Sequence, residues 1–182
     1  MMDEITLVAE CLKGNPKAQK AFFDKFAPKM MTVCLRYMKS SEEAEDMLQD
    51  GMIKVFHYLD RYKNEGSLEG WIRRIIVNTC LDQIRKNSKL IGVQSTDDVE
   101  YKLTSDDKIL EHMAAEELLS LIQKMPDGYR VVFNMFAIEG FSHQEIAQHL
   151  NITESTSKSQ YLRARAYLRE RIEKNNGRKR FI

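Results

Sequence analysis

Residues 141–169 read FSHQEIAQHLNITESTSKSQYLRARAYLR, and the architecture of the carboxy-terminal part turns on them. Ser142 is placed to cap a short helix carrying Ile146, Ala147 and Leu150, and Asn151-Ile152-Thr153 leaves room only for a sharp turn. In the helix that follows, Ser157, Tyr161, Ala164, Leu168 and Ile172 recur at steps of four, three, four and four. They share one face and are expected to pack on the first helix. Ser155, Lys158, Ser159, Leu162 and Arg163 then point the other way. Two helices joined by a tight turn, the second presenting small polar and basic groups, form a helix-turn-helix able to enter the DNA major groove. An ordinary helical hairpin with a solvated basic face shares that pattern. Charge separates the two: residues 158–182 hold nine Lys or Arg against two Glu, a net of +7, so with +1 over the chain the residues before 158 carry −6. Phosphate contacts need such a local excess.

Working outward, the chain of 182 residues has room for one domain or two small ones. Only eight Gly and three Pro interrupt it, no alternating apolar and polar run marks a strand series, and nowhere do about 18 apolar residues run together. The expectation is all-α. The amino terminus MMDEITL is acidic, without a basic-then-apolar signal segment, so a cytoplasmic location is expected. Cys11, Cys34 and Cys80 are isolated on apolar helix faces, the pattern of buried free thiols. There is no glycine-rich phosphate loop, HExxH or GxSxG, and His57, His112, His143 and His149 lack a carboxylate or cysteine at ligand spacing. Neither enzyme, metal site nor cofactor is expected.

In the amino-terminal half Asn15-Pro16 is a cap and first-turn proline, and Ala18, Phe22 and Phe26 define a helix expected to stop before Pro28. Residues 30–38 supply a further apolar segment. Ser40 and Glu43 can form a capping box. The helix after them buries Ala44, Met47, Leu48, Gly51, Val55 and Leu59 and turns Asp46, Gln49, Asp50, Ile53 and His57 outward. An Ile ringed by acidic and amide groups suits a basic partner, although a lone exposed Ile is also common. A turn-rich loop with Tyr58, Tyr62, Lys63 and Asn64 follows, and Ser67 can cap a helix to about Asn87. Trp71, Arg74, Asn78, Asp82 and Arg85 line one side of that helix. Rings, Asn and Arg beside a loop are what a single-stranded nucleic acid surface uses. Asp82 can instead pair with Arg85 or Lys86, and Trp71 beside Leu68, Ile72 and Ile75 also reads as core.

Residues 92–107, GVQSTDDVEYKLTSDD, are acidic and without a helical stripe: a flexible linker that can span roughly 50 Å. Periodicity resumes near Ile109, with Leu118, Leu121, Ile122 and Met125 on one face up to Pro126, then a helix over 129–138. The expected organisation is therefore two small helical domains, 1–91 and 108–182, joined by the linker at 92–107, the second carrying the helix-turn-helix.

Three blocks, AEDMLQDGMIKVF at 44–56, GSLEGWIRRIIVNTCLDQIRK at 66–86, and LIQKMPDGYRVVF with the helix-turn-helix over 121–168, closely resemble bacterial RNA polymerase sigma factors of the extracytoplasmic-function (ECF) type. The resemblance implies a promoter-specificity subunit rather than an enzyme. It implies that Asp46, Gln49 and Asp50, with Ile53 on the same face, dock on the clamp helices of core RNA polymerase. It implies that Tyr62, Lys63, Asn64, Trp71, Arg74, Asn78 and Arg85 melt the minus-ten promoter element and hold the melted strand. Ser155, Lys158, Ser159, Leu162 and Arg163 would read the minus-thirty-five element as duplex. The linker would thread through the polymerase, its acidic groups mimicking nucleic acid, and an anti-sigma protein, often membrane-bound, would restrain the free subunit. Two positions depart from the family: Ser155 and Ser157 stand where Gly and Val are common, so a buried Ser157 hydroxyl is expected to find a carbonyl one turn back. Gln160 replaces a common Arg. A conventional transcription regulator built on a helix-turn-helix leaves the Asp46 face unexplained, and a polymerase adaptor without DNA contacts leaves the basic end unexplained.

Overall fold

The structure, a computed structural model, describes residues 3–87 and 115–179. Every regular element among them is helical, as expected. The chain divides into two compact units, Met1–Ile84 and Arg85–Ile182. The expected linker, 92–107, and both boundaries placed on either side of it lie outside the described residues.

The first unit opens with α1 (Glu4–Leu12), capped by the Asp3 carboxylate, which accepts from Thr6 N at 2.9 Å and Thr6 Oγ1 at 2.7 Å. α2 (Pro16–Tyr37) starts where Asn15 accepts from Lys17 N and Ala18 N. It runs straight through Pro28, where the sequence reading ended it. A proline inside a helix removes one N–H and costs about 3 kcal/mol. Asp24 and Pro28 are both exposed, so water can reach the carbonyl that loses its donor, while Phe22, Phe26, Met30, Val33, Cys34 and Tyr37 form a buried stripe that continues past the break. Each such side chain contributes about 1.5–3 kcal/mol on burial, and together they outweigh the defect. Phe22 meets Phe26 at 4.8 Å and Phe56 at 5.3 Å between ring centroids.

α3 (Ser41–His57) is capped by Ser40, whose hydroxyl accepts from Glu43 N at 3.1 Å. The reciprocal half of the box differs from expectation: the Glu43 carboxylate takes Lys39 N, not Ser40 N. A 3-10 turn, Leu59–Arg61, leads to α4 (Leu68–Asn87). On α4 the buried apolar set is Leu68, Ile72, Ile76, Val77, Cys80, Leu81 and Ile84, with Thr79 buried beside them and Ile75 only half-buried. The three thiols are free and buried, Cys34 Sγ lying 4.0 Å from Cys80 Sγ.

The second unit comprises α5 (Ala115–Gln123), α6 (Asp127–Phe133), a π-helical turn (Asn134–Ile138), α7 (His143–Leu150) and α8 (Glu154–Lys179). The single helix expected over 129–138 is thus an α-helix that widens at Asn134. Arg130, 3% exposed, ties the α5–α6 corner together: its guanidinium donates to Gln123 O and Met125 O at 3.2 and 3.3 Å and to Asp127 Oδ1 at 2.8 Å. Leu121, Ile122, Met125 and Phe133 form one core with Ala164, Leu168 and Ile172. The buried face of α8 therefore packs largely on α5 and α6, where the sequence reading had placed it on α7. Ser157 begins that face, and α7 meets α8 near its amino-terminal end.

Candidate functional site

Three exposed surfaces carry the residues singled out in the sequence. The first is the outer face of α3. Its inner face is held by Ala44, Met47, Leu48, Gly51, Met52 and Val55, all buried, so the helical period turns Asp46, Gln49, Asp50, Ile53 and His57 to solvent. Ile53 is 67% exposed amid those polar groups. An apolar side chain in that position gains only when something covers it.

The second surface is the turn before α4 and the side of α4 next to it. Asn64 and Gly66 both have left-handed backbone, φ 57° and 85°, which an Asn and a Gly adopt most readily. Tyr62 Oη donates to Gly66 O at 3.0 Å, and its ring lies 5.6 Å from that of Trp71, tilted by 50°. Ser67 Oγ accepts from Gly70 N at 3.3 Å and starts the helix. Trp71 is half-buried against Tyr62 rather than enclosed in the core, which Leu68, Ile72 and Ile76 fill without it. Lys63, Arg74 and Asn78 are exposed; Arg85, also exposed, stands in the last turn of α4. Asp82 faces Lys54 Nζ at 4.0 Å, and that ammonium donates to Thr79 Oγ1 at 3.2 Å.

The third surface is the amino-terminal part of α8. A capping box starts α7: Ser142 Oγ accepts from Glu145 N at 3.2 Å while the Glu145 carboxylate accepts from Ser142 N at 2.8 Å. Those bonds hold the Glu145 carboxyl below the ordinary carboxylate range. Asn151, left-handed at φ 54°, closes α7, and Thr153 Oγ1 accepts from Thr156 N at 3.1 Å to open α8. Ser155 and Lys158 are exposed, and Ser159, Leu162 and Arg163 are half-buried along the same side. Lys158 Nζ lies 2.7 Å from Glu154, which lowers the Glu154 pKa. An exposed pair of this kind is screened by water and holds the ammonium only weakly.

Ser157, fully buried, bonds to His143 Nδ1 at 2.9 Å and not to a carbonyl one turn back. His143 stacks on Phe136, centroids 4.2 Å apart at 11°, and Phe136 meets Tyr161 at 4.6 Å. Burial, followed by the charge of Lys158, holds the His143 pKa below its ordinary value. His143 carried no signal of its own in the sequence, but a serine in an apolar seam demands a polar partner from across it. Gln160, noted only as a departure, is also buried, and its Oε1 has no hydrogen-bond partner.

Comparison with known proteins gives two family matches in chain order: Sigma-70 region 2 over residues 22–90 and Sigma-70, region 4, over residues 115–168. The first holds the α3 and α4 surfaces, the second the helix-turn-helix. Among curated proteins the chain is similar to the ECF RNA polymerase sigma factor SigW of Bacillus subtilis, 26% identical over 176 residues, covering 91% of this chain and 94% of the relative. It is also similar to the ECF RNA polymerase sigma-E factor of Escherichia coli, 24% identical over 187 residues, covering 95% and 97% of the two chains. Among solved structures, the sigma factor RpoE of Bartonella quintana, in complex with the anti-sigma factor NepR, shares the fold at a TM-score of 0.50 with 20% identity, covering 85% of this chain and 96% of that one.

Proposed function

Because this chain belongs to the sigma-70 family of transcription initiation factors, in its ECF branch, we propose that it is a dissociable promoter-specificity subunit working through three separate surfaces. Asp46, Gln49, Asp50 and Ile53 bind core RNA polymerase. Tyr62, Lys63, Asn64, Trp71, Arg74, Asn78 and Arg85 open the minus-ten element and hold its melted strand by stacking and backbone contacts. Ser155, Lys158, Ser159, Leu162 and Arg163 read the minus-thirty-five element in the major groove. Region 1–91 performs the first two tasks, 108–182 the third, and the acidic residues 92–107 span between them. The subunit catalyses nothing; bond formation belongs to the polymerase.

The observation that carries the reading is Ile53, 67% exposed at the centre of an acidic and amide face whose opposite side is wholly buried. A solvated helix has no need of an apolar group there, whereas a macromolecular contact would cover it. The complex of the Bartonella quintana relative with an anti-sigma factor supports a protein partner that sequesters this subunit, and such an inhibitor can be membrane-bound. Among the described residues no helix is long and apolar enough to cross a membrane.

Transcription reconstituted from purified core polymerase, this protein and genomic fragments is the direct test. Initiation at a discrete set of promoters, dependent on both proteins, is expected; none on any fragment would refute the proposal. Gel shifts with duplex promoters separate it from a conventional regulator, which would bind without core.

A further inference from the structure

Between positions 154 and 163, the part of α8 proposed to face DNA, no apolar side chain is fully buried. Its two buried residues are Ser157 and Gln160, and the first buried apolar group is Ala164. A helix is ordinarily fixed in roll about its axis by large side chains set between those of its neighbours. Here Ser157 has no bulk to serve as such a knob, and Gln160 leaves its Oε1 unpartnered. One turn on, the half-buried Tyr161 packs against Phe133 and Phe136, but at Ser157 itself the contact is a directional one, Ser157 Oγ to His143 Nδ1 at 2.9 Å. His143 in turn is held flat on Phe136, which also packs against Tyr161 of α8.

We propose that His143 and Ser157 are positioning residues for promoter recognition, their hydrogen bond setting the roll of α8 and so the aim of Lys158 and Ser159 at base edges. The inference rests on the duplex-reading role given above to α8. A hydrogen bond suits the task because its energy depends on angle as well as distance, whereas a smooth apolar contact tolerates sliding. Lys158 and Ser159 follow Ser157 directly in the chain, so a few degrees of roll at Ser157 reach their side chains undiminished. Burial favours the neutral imidazole, so one proton is shared along the contact, from the hydroxyl to Nδ1 or the reverse.

The experiment is selection from duplex DNA randomised over the minus-thirty-five region, using holoenzyme assembled from core polymerase and each variant. His143→Phe keeps the stack on Phe136 and removes the hydrogen bond. Ser157→Ala removes it from the other side. His143→Asn keeps a polar group at the place of Nδ1. Discrimination between the selected sequence and its single-base variants should fall roughly three- to tenfold in His143→Phe and in Ser157→Ala, the effect one hydrogen bond can supply. The double variant should lose no more than either single one, and His143→Asn should stay within about twofold of wild type. Far-UV circular dichroism and core affinity, which runs through α3, establish that each protein is folded. Unchanged discrimination in either folded single variant, or losses that multiply in the double variant, would overturn the proposal. If one single variant does not fold, the other decides. Wild-type holoenzyme that enriches no upstream sequence would remove the duplex-reading role itself, and this inference with it.

Discussion

Gly51 of α3 lies so close to Ile76 of α4 that a Cβ at position 51 would overlap the Ile76 Cδ1 methyl. The two helices that carry the proposed polymerase face and strand-opening face are thereby held at a spacing that only glycine permits. Ile76 is fully buried and its own backbone is near, so the methyl has little space to retreat into. Gly51→Ala improves helix propensity by about 1 kcal/mol, while overpacking costs about 1–3 kcal/mol. The net expectation is a loss of up to about 2 kcal/mol in urea denaturation. Ile76→Val removes the offending methyl, and the pair Gly51→Ala with Ile76→Val should be more stable than the sum of the single effects. Simple additivity in that cycle would show that the two side chains do not compete for the same space.

Asp46 and Asp50 are exposed and one turn apart on α3, so changing both to Lys disturbs no core contact. The fold should be retained, with a thermal midpoint close to wild type. Affinity for core polymerase should fall by roughly a hundredfold or more, because like charges set opposite one another at an interface cost several kcal/mol. Sedimentation of the variant with core measures this directly. A doubly reversed protein that still co-sediments would place the polymerase contact on another face.

Trp71 is half-buried against Tyr62, and the turn beneath them is tied by the Tyr62 Oη to Gly66 O bond. Trp71→Ala should therefore leave most of the first unit's core intact and remove a stacking surface worth about 1–3 kcal/mol per base. Heparin-resistant open complexes should form roughly tenfold less at a duplex promoter, and a template already unpaired across the minus-ten element should restore most of the loss. Equal defects on both templates would assign Trp71 to folding rather than to strand opening.

These surfaces were readable in the sequence to the extent that they follow from period. Ala44, Met47, Leu48, Gly51 and Val55 recur so regularly that the outward aim of Asp46, Gln49, Asp50 and Ile53 is a geometric consequence, and all are placed accordingly. The caps at Asn15, Ser40 and Ser142 were legible for a similar reason, since each acts within three residues of itself. Pro28 misled because a local rule, that proline ends a helix, competes with burial summed along the whole of α2. The packing of α8 on α7 holds only at its amino-terminal end, where Ser157 and Tyr161 meet His143, and the rest of the face meets α5 and α6, because periodicity tells which residues face inward but not what they meet. The partner of Ser157 was hidden for another reason. His143 lies fourteen residues away across a turn, and a hydrogen bond between helices leaves no periodic trace.

The surroundings of His143 also give the second unit a pH dependence whose sign can be worked out. Burial and the Lys158 ammonium depress the His143 pKa in the folded protein, with Glu154 pulling weakly the other way. The unfolded chain takes up this proton near pH 6.5, while the folded protein resists until lower pH. Stability from His143 is thus fully present above about pH 6.5 and is lost as pH falls through that value toward the folded pKa, by a modest amount because solvent screens the half-buried ring. Glu145 and Glu154 have depressed pKa values as well, but their contribution persists above the ordinary carboxylate value of 4.5 and is lost only below it. Thermal midpoints measured between pH 7.5 and 5.0 should therefore decline in wild type and decline less in His143→Phe, with the two curves diverging below pH 6.5. Parallel curves would mean that the imidazole binds its proton equally well folded and unfolded, which its seat between Phe136 and Ser157, next to the Lys158 charge, does not allow.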